Sequence, residues 1–365
     1  RSSSWCNYKK SSFVAWLMLD TFHSLGVLLS VARAVVSLDV PCDASVPGGL
    51  DCLGTRVNNS WLAHLHPDPE QDAFAPNKEA REVMSGHFVH VRPTPLPDPY
   101  LVSYSKDVAS MLGLAHKECE SDRFTRLFSG VVDEVVGFNS SWATPYALSI
   151  YGSEQVPNGA GPNGYGYGDG RAISLAEVVV DGGDRWELQV KGSGTTPFCR
   201  GSDGRAVLRS SVREFLVSEA MYHLGVPTTR ALSLVASASE KVQRVWYSSV
   251  EDEGPEDQAD AQNDMDKTRS GKHGGDIYQL EGVAMTTRVA PSFLRVGHFE
   301  LFGRRARRGE TLGLQQLEQL ARHALFREYP NHARPELSLQ EQILGMLSAA
   351  AARFAKLAAE WVRVG

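Results

Sequence analysis

The sequence predicts an α+β fold, in which a β-rich region is followed by a helical region. Two apolar segments, Ala172–Val180 and Arg185–Lys191, are separated by the turn Asp181–Asp184 and indicate a β-hairpin. A helical pattern follows over about Ser211–Leu224, with one apolar stripe formed by Val212, Phe215, Leu216, Ala220 and Leu224. Helical periodicity returns from Leu312 onward, over Leu314–Phe326 and then Leu339–Val364. Strands first and helices last is an order typical of α+β proteins.

Composition narrows the class of protein. The 365 residues are 42% hydrophobic, which is ordinary for a globular protein with a sizeable core. The formal net charge of −6 argues against a general nucleic-acid binder. The five cysteines are scattered and lack zinc-type spacing, so neither a disulfide framework nor a zinc site is indicated.

The chain divides into three predicted regions. Residues 1–57 form an extension, residues 58–310 a β-rich lobe, and residues 311–365 the start of a helical lobe. Within the β-rich lobe, residues 251–275 are acidic, polar and nearly free of large apolar side chains, which indicates an insertion without a core of its own.

The extension contains an apolar, basic-flanked stretch at Phe13–Leu38. Asp20, His23 and Arg33 interrupt this stretch, and membrane spans rarely carry charges at such depth. A targeting segment, a membrane anchor and a poorly ordered extension therefore remain alternatives.

A lysine and a glutamate form the first candidate site. Lys191 ends the second strand of the hairpin, and Glu214 lies in the first turns of the helix. Protein kinases hold ATP phosphates with such a strand lysine paired to a helical glutamate. Each residue also has a plain structural explanation, because a strand-end lysine can reach solvent and Ser211 with Glu214 spells a capping box.

The tetrapeptide Asp-Gly-Arg-Ala occurs on both sides of the hairpin, at Asp169–Ala172 and Asp203–Ala206. Glycine lets the backbone approach a phosphate closely, and successive N–H groups can form an anion nest. Two ordinary glycine turns would give the same spacing, so the pattern by itself leaves both interpretations open.

Arginines and one histidine complete the candidates. Arg205, Arg209 and Arg213 recur every four residues and would share a face if the segment is helical. Arg288 and Arg295 lie downstream, and arginine binds phosphate through two parallel hydrogen bonds. His298 follows closely, and a single histidine beside Phe299 is more typical of packing than of catalysis.

Three long stretches resemble the selenoprotein O family, including its bacterial YdiU members. They read "GYGDGRAISLAEV", "LQVKGSGTTPFCRGSDGRAVLRSSVREFLVSEAMYHLGVPTTRALSLV" and "MTTRVAPSFLRVGHFELF". The resemblance is collinear and covers roughly Asn58–Gly365, and "TPYALSIYG" resembles the eukaryotic-type branch more than the common bacterial form.

The resemblance implies a protein-kinase-like bilobal fold and a protein adenylyltransferase, which moves AMP from ATP to Ser, Thr or Tyr hydroxyls of protein substrates with Mg²⁺ or Mn²⁺. It also implies a phosphate-gripping lysine with its helix partner, two glycine-containing nucleotide contacts, and two arginines that hold a flipped triphosphate. These residues are Gly168, Gly170, Arg171, Lys191, Asp203, Gly204, Glu214, Arg288 and Arg295.

The same resemblance places no catalytic and no metal-binding residue within this chain. Family members continue past Gly365 into a catalytic Asp-Asn loop and a later metal-binding aspartate, so we expect a chain cut before that loop, with the helical lobe only partly present and no transfer activity of its own. A kinase that transfers the γ-phosphoryl group and a non-catalytic nucleotide-binding protein remain alternatives. We expect a mitochondrial location, with the cytoplasm or another organelle as alternatives; the oligomeric state is not predicted.

Overall fold

The computed structural model of the chain describes residues 48–147, 167–199, 201–247 and 277–365. The apolar stretch at residues 13–38 and the acidic segment at residues 251–275 both lie outside the described residues. No helix in the described part of the chain is long and apolar enough to cross a membrane.

Strands dominate the first part of the described chain and helices the last part, which confirms the predicted α+β class. The strands are β1 (Val89–His90), β2 (Pro99–Tyr104), β3 (Trp142–Ala143), β4 (Pro145–Ala147), β5 (Tyr167–Gly168), β6 (Ala172–Val179), β7 (Arg185–Lys191), β8 (Ala206–Val207), β9 (Arg230–Tyr247) and β10 (Ile277–Ala290). The helices are α1 (Leu50–Thr55), α2 (Ser60–His64), α3 (Lys106–Met111), α4 (His116–Cys119), α5 (Asp122–Phe128), α6 (Leu208–His223), α7 (Val296–Arg307), α8 (Thr311–Arg327) and α9 (Leu339–Val364).

One antiparallel sheet organises these strands. Its order is β1-β3-β6-β7-β10-β9-β2, with β8 also paired to β10, while β4 and β5 form a separate pair. The predicted hairpin is present as β6 and β7, in which Lys191 lies opposite Ala172. On its other side β7 pairs with β10, so that Lys191 also faces Thr286.

The two faces of the sheet differ because side chains alternate along each strand. On β7, Leu188 and Val190 are fully buried in the main core, beneath residues of α3 and α5 such as Val108 and Phe124. Glu187, Gln189 and Lys191 therefore point to the opposite, polar face of the sheet.

Helix α6 covers part of that polar face, but its apolar stripe was predicted too broadly. Phe215 is buried against β9 and β10, whereas Leu216 and Leu224 are 60% and 52% exposed. Ala220 is exposed as well. The periodicity identified the helix, but it did not show that only one side of its N-terminal half is covered.

The packed region starts before the predicted boundary at residue 58. Helix α1 places Leu50 and Leu53 in the main core, and six residues are too few for a detectable period. At the other end, the predicted helices over Leu314–Phe326 and Leu339–Val364 are confirmed as α8 and α9. Helices α7 and α8 share one apolar cluster, which spans the predicted division at residues 310 and 311.

The cysteines differ in state. Cys119 and Cys199 are buried free thiols, while Cys52 is disulfide-bonded. This bond was not predicted, because nothing in the cysteine spacing singles it out.

Candidate functional site

Lys191 and Glu214 form a close pair on the polar face of the sheet. The Nζ atom of Lys191 lies 2.5 Å from Oε2 of Glu214, and the two side chains are 28% and 23% exposed. Burial lowers the pKa of Lys191, and the neighbouring Arg288 and Arg171 lower it further, while Glu214 opposes them. The capping-box explanation of Glu214 is wrong, since α6 begins at Leu208 rather than beside Ser211.

Arg288 joins this pair from the adjacent strand β10. Its Nη1 atom lies 3.8 Å from Oε1 of Glu214, and its Nη2 donates to Oε1 of Gln189, the residue opposite it on β7. The guanidinium lies 5.2 Å from the ring centroid of Phe293. Its Nε atom is buried and donates to no atom of the described residues.

Arg295 stands at the N-cap of α7, in the same neighbourhood. Its Nη1 atom lies 3.0 Å from Oδ1 of Asp169, and its guanidinium lies 4.3 Å from the ring centroid of Tyr146. Burial opposes the charge of Arg295, but Asp169 and Tyr146 raise its pKa above the ordinary value. About a third of the side chain, 31%, remains exposed.

The first Asp-Gly-Arg-Ala turn is locked to its surroundings by Asp169. The buried carboxylate accepts hydrogen bonds from the N–H and Oγ1 of Thr144, at 3.2 and 2.8 Å, in addition to that from Arg295. A Cβ atom on Gly168 would lie 2.5 Å from Cγ of Phe198, and one on Gly170 would lie 2.6 Å from its carbonyl oxygen. Only glycine fits there without displacing the chain.

The arginine of this first turn, Arg171, is exposed. Its Nη1 donates to the carbonyl oxygen of Arg205 at 3.4 Å, which links the first turn to the second. The positive charge of Arg171 lies near enough to Lys191 to lower the pKa of the lysine.

The second turn also carries an arginine-bound aspartate and a glycine in a crowded place. Asp203 receives two hydrogen bonds of 2.8 Å from Arg244 and one of 2.9 Å from the N–H of Arg205. Gly204 has φ +70°, and a Cβ atom there would lie 2.1 Å from the carbonyl carbon of Gly194. The second turn therefore touches the segment that follows β7 backbone to backbone at this point.

The predicted shared face of the three arginines holds for Arg209 and Arg213, which lie four residues apart on α6, and is wrong for Arg205. Arg205 precedes α6 and is buried, where it donates to the carbonyl oxygens of Thr94 and Pro95 at 2.7 and 3.0 Å. Arg209 lies 3.0 Å from Glu281, and Arg213 is exposed. Arg205 is thus a structural residue that ties two loops together.

His298 is packed, as its sequence context indicated. The ring is buried; Nε2 lies 3.1 Å from Oγ1 of Thr144, and the backbone N–H of Arg295 donates to Nδ1 at 2.9 Å. Burial and the nearby Arg295 hold its pKa well below the usual range, so the ring is neutral.

Four cations lie near one another at this place. Lys191 interacts with the charges of Arg288 and Arg171, and Arg288 interacts with that of Arg295. Three carboxylates beside them are already paired, Glu214 with Lys191, Asp169 with Arg295 and Asp203 with Arg244. A cluster of lysine and arginine side chains suits a ligand that carries phosphate groups.

A divalent cation fits the same residues poorly. The carboxylates of Asp169 and Asp203 are each paired with an arginine. Across the described ranges, no group of three or more His, Cys, Asp or Glu side chains is arranged to hold a metal ion.

Three residues of this site were missed because their partners are distant in sequence. Asp169 belongs to the repeated tetrapeptide, yet its partner Arg295 follows 126 residues later. Gln189 and Arg244 pair with Arg288 and Asp203 from other strands. The repeat itself and the alternation around Gln189 were the available signals.

Comparison with known proteins identifies the class to which this fold and site belong. The family model described as protein adenylyltransferase SelO matches residues 74–252. The chain is 39% identical over 310 residues to the protein nucleotidyltransferase YdiU of Azoarcus sp. (strain BH72), an alignment that covers 84% of this chain and 49% of that protein. It is 40% identical over 313 residues to the YdiU protein of Xanthomonas campestris pv. campestris (strain 8004), with 85% and 50% covered.

The chain therefore belongs to the SelO family of protein adenylyltransferases. It spans about half the length of the curated relatives it matches.

Proposed function

We propose that this protein binds ATP at the site described above and acts in the transfer of AMP to Ser, Thr or Tyr hydroxyls of other proteins. We propose further that its antiparallel sheet and helices form a protein-kinase-like fold. The pairing of a strand lysine with a helical glutamate, Lys191 with Glu214 at 2.5 Å, supports both proposals because kinases hold nucleotide phosphates in this way.

The observation that carries the proposal is the convergence of cations around one acceptor. Glu214 contacts both Lys191 and Arg288, and it therefore holds both cations in position. Lys191 is a compact point charge, while the planar guanidinium of Arg288 can bind two phosphate oxygens together. A bound phosphate would favour the charged form of Lys191, which burial at present disfavours.

Arg288 and Arg295 favour AMP transfer over phosphoryl transfer. Both side chains are largely buried, at 16% and 31% exposure. Arginines placed so deeply are suited to the terminal phosphates, which would leave the α-phosphate toward solvent for attack by a hydroxyl. In the family's chemistry Mg²⁺ or Mn²⁺ would offset phosphate charge, but the described residues of this chain do not supply ligands for such an ion.

Nucleotide binding is tested with Lys191→Ala. Loss of one charge-assisted hydrogen bond costs about 1.5–3 kcal/mol, so ATP affinity measured by calorimetry should fall about tenfold or more. Lys117→Ala is the matched control, because Lys117 is exposed on α4 and should leave affinity unchanged. Unchanged ATP affinity in Lys191→Ala, with a native circular dichroism spectrum, would remove Lys191 from the site.

The transferred group is tested separately. The protein is incubated with ATP, a divalent cation and a mixture of candidate acceptor proteins, and the acceptors are examined by mass spectrometry. A mass increase equal to AMP supports the proposal. An increase equal to one phosphoryl group would instead identify a kinase, which the Lys191–Glu214 pair serves equally well. Binding without any transfer would agree with the expectation that this chain holds no catalytic residue of its own, and it would fit the non-catalytic alternative equally well.

A further inference from the structure

Glu187 is a buried carboxylate next to the proposed site that the proposed function does not use. It lies on β7, four residues before Lys191 and on the same face of the sheet, and is 3% exposed. Its surroundings include Trp61, Thr144 and Phe293, which line a narrow internal space with it. A charge so deeply buried is costly unless it is hydrogen-bonded, so its partners indicate what it does.

A chain of hydrogen bonds runs from Arg288 to Glu187. Arg288 donates to Oε1 of Gln189, and Nε2 of Gln189 donates to Oγ of Ser174 at 3.1 Å. The hydroxyl of Ser174 in turn donates to Oε1 of Glu187 at 2.5 Å. These residues come from the three neighbouring strands β10, β7 and β6. They can bond in series because Gln189 lies opposite Arg288 on one side and opposite Ser174 on the other.

The donor and the acceptor of every hydrogen bond in this series are fixed by Arg288, its first residue. A guanidinium can only donate, so Gln189 must turn its carbonyl oxygen toward Arg288. Its amide group then points at Ser174, whose own hydrogen is left to donate onward to Glu187. The chain can end only on an acceptor.

The second oxygen of Glu187 is also occupied by a donor. Oε2 accepts from the backbone N–H of Phe293 at 2.9 Å. Phe293 lies beneath the guanidinium of Arg288 and two residues before Arg295, so this bond fixes the segment that connects the two arginines. A carboxylate accepts at both oxygens, whereas a glutamine would set its amide hydrogens against a donor.

We infer that Glu187 is a positioning residue of the nucleotide site, because it fixes Arg288 through Ser174 and Gln189 and fixes the approach to Arg295 through Phe293. The inference rests on the proposed function, because only that proposal gives these two arginines a ligand to bind. Glu187 itself does not contact the nucleotide.

Charges around Glu187 set its protonation. Burial raises its pKa to about 7, the nearby Glu177 of β6 raises it as well, and Arg327 of α8 lowers it. Arg295, at the start of α7, also interacts with its charge. The carboxyl is therefore ionised at pH 8, and binding should be measured there.

The test compares ATP with AMP binding at pH 8 by calorimetry, in the full chain. Glu187→Gln should weaken ATP binding about tenfold, the value of one hydrogen bond, and AMP binding much less, because the arginines serve the outer phosphates. In an Arg288→Ala background, the same substitution should cost clearly less than it does in the wild type, since the link to Arg288 is already absent. A substitution that only loosened the fold would lower both affinities alike.

Ser174→Ala provides a second variant that breaks the same chain and keeps the carboxylate, in case Glu187→Gln does not fold. Unchanged ATP affinity in the folded variants overturns the inference, as does an equal loss for ATP and AMP or an undiminished loss in the Arg288→Ala background. A wild-type protein that binds no ATP overturns the proposed function and this inference with it, whereas wild-type binding combined with any of the other three results overturns the inference alone.

Discussion

Replacing Arg295 with alanine should separate the binding of ATP from that of AMP. The substitution removes one guanidinium that is 31% exposed and held 3.0 Å from Asp169. If Arg295 meets the terminal phosphates, AMP lacks the group that this arginine binds. A charge-assisted hydrogen bond contributes about 1.5–3 kcal/mol, and partial exposure places Arg295 toward the lower value, so ATP affinity should fall about tenfold.

A second effect of the same substitution must be distinguished from the first. Removing Arg295 leaves the carboxylate of Asp169 buried with only the two hydrogen bonds from Thr144. That uncompensated charge repels any phosphate, in ATP and AMP alike, and penalises the fold. The double variant Asp169→Asn/Arg295→Ala removes the repulsion, so it should recover AMP affinity while ATP affinity stays low.

Calorimetric titration with ATP and with AMP measures both effects. Arg322→Ala is the matched control, because Arg322 is 60% exposed on α8 and, among the described residues, pairs with Glu318 of the same helix. The reasoning is refuted if Arg295→Ala lowers ATP and AMP affinity by the same factor, and if the double variant restores both to the same degree. In that event Arg295 acts on the α-phosphate or on the fold, and its assignment to the outer phosphates is wrong.

Two further predictions concern stability. Gly204→Ala should lower the free energy of unfolding by more than about 1 kcal/mol, because φ is +70° and the new Cβ would lie 2.1 Å from a backbone carbon. Gly182→Ala is the comparison, because φ is +89° there but no atom lies near the new Cβ. Thermal unfolding should therefore show a smaller loss of stability for Gly182→Ala than for Gly204→Ala. Acid should destabilise the protein, because burial lowers the pKa of His87 to about 4 and that of His323 to about 3. Between about pH 6.5 and 4 the unfolded chain binds protons that these folded rings do not, so each costs about 1.4 kcal/mol per pH unit. Glu187 partly offsets this loss of stability, because its raised pKa makes the folded protein bind one additional proton as the pH falls below about 7. Urea titrations at pH 7, 6 and 5 should show a falling free energy of unfolding. The substitution His323→Gln should make this free energy depend less steeply on pH. An unchanged pH dependence in that variant would show that His323 does not titrate in this way.

Local features of the site were predictable from the sequence. The hairpin that carries Lys191 follows from two alternating segments around one turn, and the helix that carries Glu214 follows from its period. Lys191 and Glu214 lie only 23 residues apart in sequence, so their contact involves few alternatives.

Non-local features were not predictable in the same way. The pairing of β7 with β10 brings Gln189 and Arg288 together across 99 residues, and no periodicity specifies it. The stripe predicted on α6 was wrong at Leu216 for a related reason, because hydrophobic spacing does not tell which part of a helix finds a partner.

The repeated Asp-Gly-Arg-Ala turn shows how far one short sequence determines structure. In both copies the aspartate accepts from an arginine of a distant element, Arg295 for Asp169 and Arg244 for Asp203. In both copies glycine lets a neighbouring chain segment approach where a Cβ would collide.

The arginines of the two copies have opposite roles, even though their immediate neighbours in sequence are identical. Arg171 is exposed beside the cationic group around Lys191, while Arg205 is buried and binds backbone carbonyl oxygens. The tetrapeptide does not specify a single backbone conformation, because φ is +70° at Gly204 and lies outside the left-handed range at Gly170. Each aspartate binds an arginine from a distant element, so the tetrapeptide supplies only the acceptor of that contact. It also does not specify what its own arginine binds, because that depends on which strands the sheet places next to each copy. Substituting Arg171 should accordingly change ligand affinity at little cost in stability, and substituting Arg205 should lower stability first, a difference that thermal unfolding and calorimetry on the two alanine variants would measure directly.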